Sequence, residues 1–211
     1  MLTVRDITCV RGHRPLFAPA SFELAAGQAL HLQGDNGVGK TSLLRVICGL
    51  SPAHTGEVCW QGQPVREVAS AFRQSLFYLG HALSLKEELS ALENLVLDAA
   101  IAGRRLDTAH ALAALRGLGL QGREHLPVRV MSQGQKRRVA LARLSVSAAT
   151  LWVLDEPLVA LDGRALEQLR QRLARHVLEG GMLLLTSHQP LSLDLPEQSV
   201  PLRTLRLEGA R

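Results

Sequence analysis

The sequence predicts an α/β fold with a buried parallel sheet and an inserted helical subdomain. Three observations carry this. The runs "TLWVLDEP" and "MLLLTSH" have the unbroken hydrophobicity of strands covered on both faces. The glycine-rich turn "GDNGVGKT" stands between a strand pattern and a helix pattern. Residues from 81 to 145 show helical stretches and no convincing strand. A single domain over 1–211 is expected, with 1–80 and 146–211 forming its α/β part and 81–145 its helical subdomain.

In chain order, "LTVRDITCV" alternates apolar and polar residues as a strand does. "SFELAAGQALHLQG" follows as strand, turn, strand, with Leu30 and Leu32 on one face. After the glycine turn, Leu43, Leu44, Ile47 and Leu50 keep helical spacing, and Gly49 sits near the helix end. "GEVCWQGQPV" has the form of a short hairpin turning at "QG". "SALENLVLDAAIAG" and "DTAHALAALRGLGL" are amphipathic helices of the inserted block. "GRALEQLRQRLARHVLEGG" is a helix with Leu166, Leu169, Leu173 and Val177 on one stripe, arginines opposite, and Gly180 and Gly181 at its end. "RTLRLEG" adds an edge strand.

Composition narrows the class. The chain has 211 residues, 46% hydrophobic and 20% charged, which suits a packed domain and not a disordered one. Its net charge of +5 is carried almost wholly by arginine, since lysine occurs only at Lys40, Lys86 and Lys136. No dense basic run is interleaved with aromatics, so no nucleic-acid partner is expected. Cys9, Cys48 and Cys59 match no zinc or redox spacing and read as reduced thiols. Arg5 and Asp6 interrupt any signal-peptide pattern, and no apolar run reaches the ~20 residues that span a bilayer. Any membrane role is expected to run through a partner.

Three motifs carry chemistry. "GDNGVGKT", comprising Gly34, Asp35, Asn36, Gly37, Val38, Gly39, Lys40 and Thr41, fits the phosphate-binding loop pattern in its required strand–loop–helix context. Its glycines let backbone N–H groups close around phosphate oxygens at a helix N-terminus. Lys40 would reach the β- and γ-phosphates, Thr41 would offer its hydroxyl to Mg²⁺, and Ser42 is a further phosphate contact. In "LWVLDEP", Asp155 can hold Mg²⁺ through water and Glu156 can polarise the attacking water. His188 ends the next buried strand at the same carboxyl edge, within reach of a γ-phosphate and of Glu156. A second anion site, at "MSQGQKRR", has a serine and a glycine before a basic helix. One chain needs only one such loop, which raises the question of whose phosphate the second site holds.

The order of these features resembles the nucleotide-binding domain of ABC transporters over essentially the whole chain. That resemblance implies a P-loop NTPase with a RecA-like core, an N-terminal antiparallel β subdomain and the inserted helical subdomain, with ATP and Mg²⁺ as ligands and Lys40, Glu156 and His188 as catalytic residues. "MSQGQ" is similar to the family's LSGGQ signature. In the family that motif serves a partner's nucleotide, so Ser132, Gly134 and Gln135 would face the γ-phosphate held by a second copy of the chain. "ALD", Ala160 to Asp162, resembles the D-loop that crosses this dimer interface. Three positions depart from the pattern. Gln133 stands where glycine is usual. His81, in "FYLGH", stands where a Mg²⁺-binding glutamine is usual. Arg11 stands near the place of the aromatic that stacks on adenine, with Phe17 and His13 as substitutes.

Within the family, "YLGH" followed by "ELSALENL", together with "GQKRRVALARL" and "LWVLDEP", is similar to the ATP-binding subunits of bacterial cytochrome c maturation, the heme exporter ATPases. This implies a peripheral protein on the cytoplasmic face of the inner membrane. It would drive integral membrane permease subunits that handle heme and release a loaded periplasmic chaperone. No C-x-x-C-H is present and direct heme binding is not expected. Residues 80 to 97 are the expected surface for the membrane partner. The alternatives are an exporter ATPase for a lipid, drug or peptide, and a soluble switch acting on DNA or the ribosome. Switches of the second kind usually carry two nucleotide domains or long coiled-coil inserts, and neither is read in this sequence.

Overall fold

A computed structural model of the chain describes residues 1–12 and 14–210, so His13 lies outside the described residues. The chain divides into two units. One comprises Met1–Gly80, Ala149–Glu156 and Leu173–Arg211, and the other His81–Ala148 and Pro157–Arg172. The segment Pro157–Arg172, expected with the α/β part, groups with the helices instead. Within that unit Arg138 pairs with Asp162, and Arg172 Nη2 donates to the Leu144 carbonyl at 3.4 Å.

Among the described residues the first unit holds a four-stranded antiparallel sheet, a five-stranded parallel sheet and a two-stranded hairpin. The antiparallel one has the order β4–β1–β6–β7, from β4 (Ala20–Leu24), β1 (Leu2–Thr8), β6 (Thr55–Trp60) and β7 (Gln63–Pro64). Leu2, Val4 and Ile7 of β1 are buried. A bulge at Asp6, with φ of 46°, lets both Val4 and Ile7 face inward. Opposite the bulge only glycine fits, because a β-carbon at Gly56 would lie 2.3 Å from the Arg5 carbonyl oxygen. A two-stranded hairpin pairs β2 (Val10–Arg11) with β3 (Arg14–Pro15).

The second sheet is parallel throughout. Its order is β11–β5–β10–β9–β8, from β11 (Leu202–Arg206), β5 (Ala29–Gln33), β10 (Met182–Thr186), β9 (Leu151–Leu154) and β8 (Leu76–Leu79). All of β9 and β10 is buried, as unbroken apolar strands in a covered parallel sheet should be. The turn 25–28 between β4 and β5 is not a hairpin; the chain changes sheets there. Strand β8 is not predicted by the sequence. It follows directly on α2 (Ala69–Ser75), with no turn residue to announce it. Helix α1 (Lys40–Ile47) buries Leu43, Leu44 and Ile47 in one cluster with Leu2, Val4, Val153 and Leu184. Phe72 of α2 meets Trp60 edge-on at 5.5 Å. The C-terminal part of α6 (Gly163–Leu178) packs on the sheet through His176, stacked on Trp152 at 3.7 Å.

The second unit contains α3 (Ala91–Ile101), α4 (Thr108–Gly117) and α5 (Gln133–Val146) around Leu95, Leu115, Val139 and Leu144. Ser90 and Glu93 form a reciprocal capping box at the start of α3. Buried Asn94 knits the preceding turn: its Oδ1 accepts from Lys86 N at 2.8 Å, and its Nδ2 donates to the Ser90 carbonyl at 2.9 Å. Arg143 pairs with Asp98, and Arg116 Nε lies 2.8 Å from Glu124 Oε1. Donation from Arg116 holds the buried Glu124 carboxyl below the usual carboxylate range. Among the described residues no helix is long and apolar enough to cross a membrane.

Candidate nucleotide site

The carboxyl ends of β5, β10 and β9 lie side by side, with Leu32 level with Thr186 and Leu185 level with Leu154. An open parallel sheet binds its ligands at this edge. The chain leaves β5 through the glycine loop, where Gly34, Gly37 and Gly39 all have positive φ. Gly39 has φ of 108°, and a β-carbon there would lie 2.8 Å from Phe17 Cδ1. The loop is thus folded tightly over a buried ring before α1 begins at Lys40. Lys40 Nζ donates to the carbonyls of Gly34 at 2.7 Å and Asp35 at 3.1 Å, curling the loop around its own cation. Asn36, Gly37, Gly39, Lys40, Thr41 and Ser42 line one pocket. Asp35 is exposed on the loop, and Val38 is tucked against the core.

Asp155, Glu156 and His188 line the same pocket, so the structure brings together residues from three strand ends. Asp155 is buried. Its Oδ2 accepts from the Thr41 hydroxyl at 2.7 Å, its Oδ1 accepts from the Thr186 hydroxyl at 2.7 Å, and its N–H donates to the Leu79 carbonyl at 2.7 Å. Glu156 has φ of 51°, a left-handed conformation that a side chain adopts only when its surroundings compel it. What compels it is the Thr186 hydroxyl, which accepts from Glu156 N at 2.9 Å. The Glu156 carboxylate then lies against the next strand end. Oε2 accepts from His188 N at 3.3 Å, and Oε1 is 3.4 Å from His188 Nε2. Burial and then the charge of Asp155 push the Tyr78 phenol on β8 up to about 12, and the same causes raise the Cys48 thiol. Both stay neutral near pH 7, and Cys9, Cys48 and Cys59 are free and buried.

Thr186 is a bridging residue that the sequence does not reveal. At the end of a strand a threonine reads as an ordinary β-branched residue. Only the fold shows its hydroxyl joining Asp155 to Glu156. Arg11 lines the pocket from the β2–β3 hairpin, with Leu16 beside it. Phe17, expected as a substitute for the base-stacking aromatic, is not one: its ring is buried beneath Gly39 and cannot stack on a base.

The other expected residues do not line this pocket. His81 is exposed, directly after β8 and Gly80. Ser132 caps α5 in the second unit. Its hydroxyl accepts from Gln135 N at 3.2 Å, and Gln135 Oε1 accepts from Ser132 N at 3.0 Å. The serine hydroxyl keeps its own hydrogen to donate. Gln133 opens the helix with an exposed side chain. Gly134 sits against the Ala160 turn, where a β-carbon would be 3.5 Å from the Ala160 carbonyl oxygen. Asp162 caps α6 by accepting from Ala165 N at 2.9 Å, and this bond, with Arg138 nearby, holds its carboxyl below the usual range.

A phosphate-binding loop at the edge of a parallel sheet, with an acidic pair across from it, defines a nucleotide-binding P-loop protein. The ABC transporter family matches residues 17–159. The "Cytochrome c biogenesis ATP-binding export protein CcmA" of Nitrosomonas europaea is 48% identical over 191 residues, covering 90% of each chain. A solved "ATP binding subunit of ABC transporter" superposes with a TM-score of 0.80 at 26% identity, over 89% of this chain and 79% of that one. A dimeric ATP-binding cassette in a post-hydrolysis state, bound to ADP and Pi, superposes with a TM-score of 0.79 at 22% identity over 90% and 88%. The chain belongs to the ABC transporter family, and it is an ABC-type ATPase.

Proposed function

We propose that the chain is the ATP-hydrolysing subunit of an ABC transporter complex in cytochrome c maturation, coupling hydrolysis to heme handling by membrane subunits. The observation that carries this is the 48% identity to a cytochrome c biogenesis ATP-binding export protein, sustained over nine-tenths of both chains. The whole chain acts as one nucleotide-binding domain, with residues 81–145 as its helical subdomain. Deletion of the gene should abolish covalent heme in periplasmic c-type cytochromes, measured by heme staining after denaturing electrophoresis. Normal heme attachment with loss of export of a lipid, drug or peptide would move the protein to another transport system.

The proposed chemistry starts from the loop. Backbone N–H groups of 36–41 and the Lys40 ammonium hold the phosphates, and Ser42 adds a hydroxyl. Arg11 offers its planar guanidinium to the base. Thr41 and Asp155 present a hydroxyl and a carboxylate oxygen in hydrogen-bond contact, a donor set that fits Mg²⁺. Bound there, Mg²⁺ would neutralise phosphate charge. His81 is the candidate third contact. Glu156 accepts a proton from the water whose oxygen bonds to the γ-phosphorus as the bond to the β-γ bridging oxygen breaks. His188 holds the carboxylate and donates toward the γ-phosphate.

The site is completed by a second copy. Ser132, with the hydroxyl hydrogen left free by its capping box, Gly134 and the start of α5 present donors to the partner's γ-phosphate, with Gln135 keeping that helix end in shape. Mixing Ser132→Ala chains with Lys40→Ala chains should leave one competent site at most per mixed dimer. ATPase activity titrated across mixing ratios reads this out; a Ser132→Ala homodimer with the normal rate would show the motif serves no nucleotide. The membrane subunits dock on residues 80–97. There the Asn94-braced turn carries Glu87, paired with Lys136 at 2.6 Å, and Glu88, paired with Arg129 at 3.6 Å. The chain then works as a peripheral subunit on the cytoplasmic face of the inner membrane.

A further inference from the structure

The buried His31, on the strand that leads into the phosphate loop, has no part in the chemistry above. It stands three residues before Gly34, level with Leu185 of β10. Its Nε2 lies 3.0 Å from the carbonyl oxygen of Ser187, and its Nδ1 lies 3.2 Å from the amide nitrogen of Gln33. A carbonyl only accepts, so Nε2 carries the hydrogen and Nδ1 accepts from the Gln33 amide. The two partners therefore select one neutral tautomer.

The carbonyl that His31 grips belongs to the peptide joining Ser187 to His188. The N–H of that same peptide donates to Glu156 Oε2 at 3.3 Å. A peptide unit is planar, so fixing its C=O fixes the direction of its N–H. The imidazole buried on one side of the sheet edge thus sets the plane whose other side faces the Glu156 carboxylate. Ser187 is further held by its hydroxyl, which accepts from Gln189 N at 2.9 Å. With the imidazole removed, the Ser187 carbonyl loses its buried donor, and the peptide is free to rotate away from Glu156.

We infer that His31 is a positioning residue for ATP hydrolysis, acting through the Ser187–His188 peptide on the Glu156 carboxylate. This rests on the proposed role of Glu156 as proton acceptor. The test is steady-state ATPase and ATP affinity of full-length variants, in the assembly that carries wild-type turnover. His31→Leu should lower kcat about tenfold while ATP affinity stays within about twofold. His31→Gln, whose amide nitrogen reaches the place of Nε2, should restore most of the rate. A packing role alone would lower thermal stability and would not be rescued by the amide. If the leucine variant does not fold, His31→Asn against His31→Gln decides. Both are polar amides and only the longer one reaches the carbonyl, so equal kcat for the two overturns the proposal. In a Glu156→Gln background, His31→Leu should cause no further loss. A Glu156→Gln chain that hydrolyses normally would remove the underlying role of Glu156. A Glu156→Gln chain that is inactive beside a His31→Leu chain at full rate would remove His31 alone.

Discussion

Glu156→Gln should bind ATP as the native chain does and hydrolyse it at least about a hundredfold more slowly, the usual contribution of a positioned proton acceptor. The physical basis is local. The amide keeps the length and shape of the carboxylate and can still accept from His188 N, so the left-handed turn held by Thr186 persists. What it loses is the capacity to take a proton from water. If two chains close over two nucleotides, the unhydrolysed complex should accumulate as a dimer in ATP and dissociate in ADP. Light scattering with each nucleotide measures this. A variant that hydrolyses at the native rate would take Glu156 out of the reaction, and a slow variant that stays monomeric in ATP would argue against the two-chain site.

The second large effect is expected at Lys40. Lys40→Ala should weaken ATP binding by about a hundredfold or more, since each charge-assisted hydrogen bond to phosphate contributes about 1.5–3 kcal/mol. A local cost adds to this one. Lys40 Nζ also bonds the carbonyls of Gly34 and Asp35, so its removal slackens the loop that should be shaped before the ligand arrives. Lys40→Arg should not restore affinity, because a planar guanidinium does not match the two carbonyls, of Gly34 and Asp35, that take the compact ammonium. Titration with a fluorescent ATP analogue, beside a thermal melt to confirm folding, checks both variants. Native affinity in Lys40→Ala would detach the lysine from the phosphates.

The phosphate loop was legible because every constraint on it is local. Glycines at 34, 37 and 39 permit the positive φ values seen there, and the lysine and threonine follow at fixed offsets on the first turn of α1. The pair Asp155–Glu156 was legible only in company: two acids at a strand end are common, and the phosphate loop earlier in the chain is what gives them a role. Thr186 and His31 were not legible. Each acts on a group far away in the chain, Thr186 on Asp155 and His31 on the peptide after Ser187. Phe17 shows the reverse error. As an aromatic near the right place it resembles a base-stacking residue, and burial under Gly39 turns it into part of the loop's floor. Strand β8 escaped notice because four residues directly after a helix carry too little periodicity to declare themselves.

From the amino-acid order alone came the α/β class, the phosphate loop, the acidic pair, the second serine–glycine helix start and the family they resemble. The loop and the helix starts depend on contacts among neighbours a few residues apart, which leave a pattern in the chain, and the order of the motifs along the chain supplies the rest. Only the tertiary structure decided that β4 and β5 part into different sheets, that β5 lies beside β10 and β10 beside β9, and that a threonine and a histidine brace the acids from neighbouring strands. Those outcomes depend on which strand pairs with which, and strand order is settled by burial of the whole sheet, which no stretch of sequence encodes by itself.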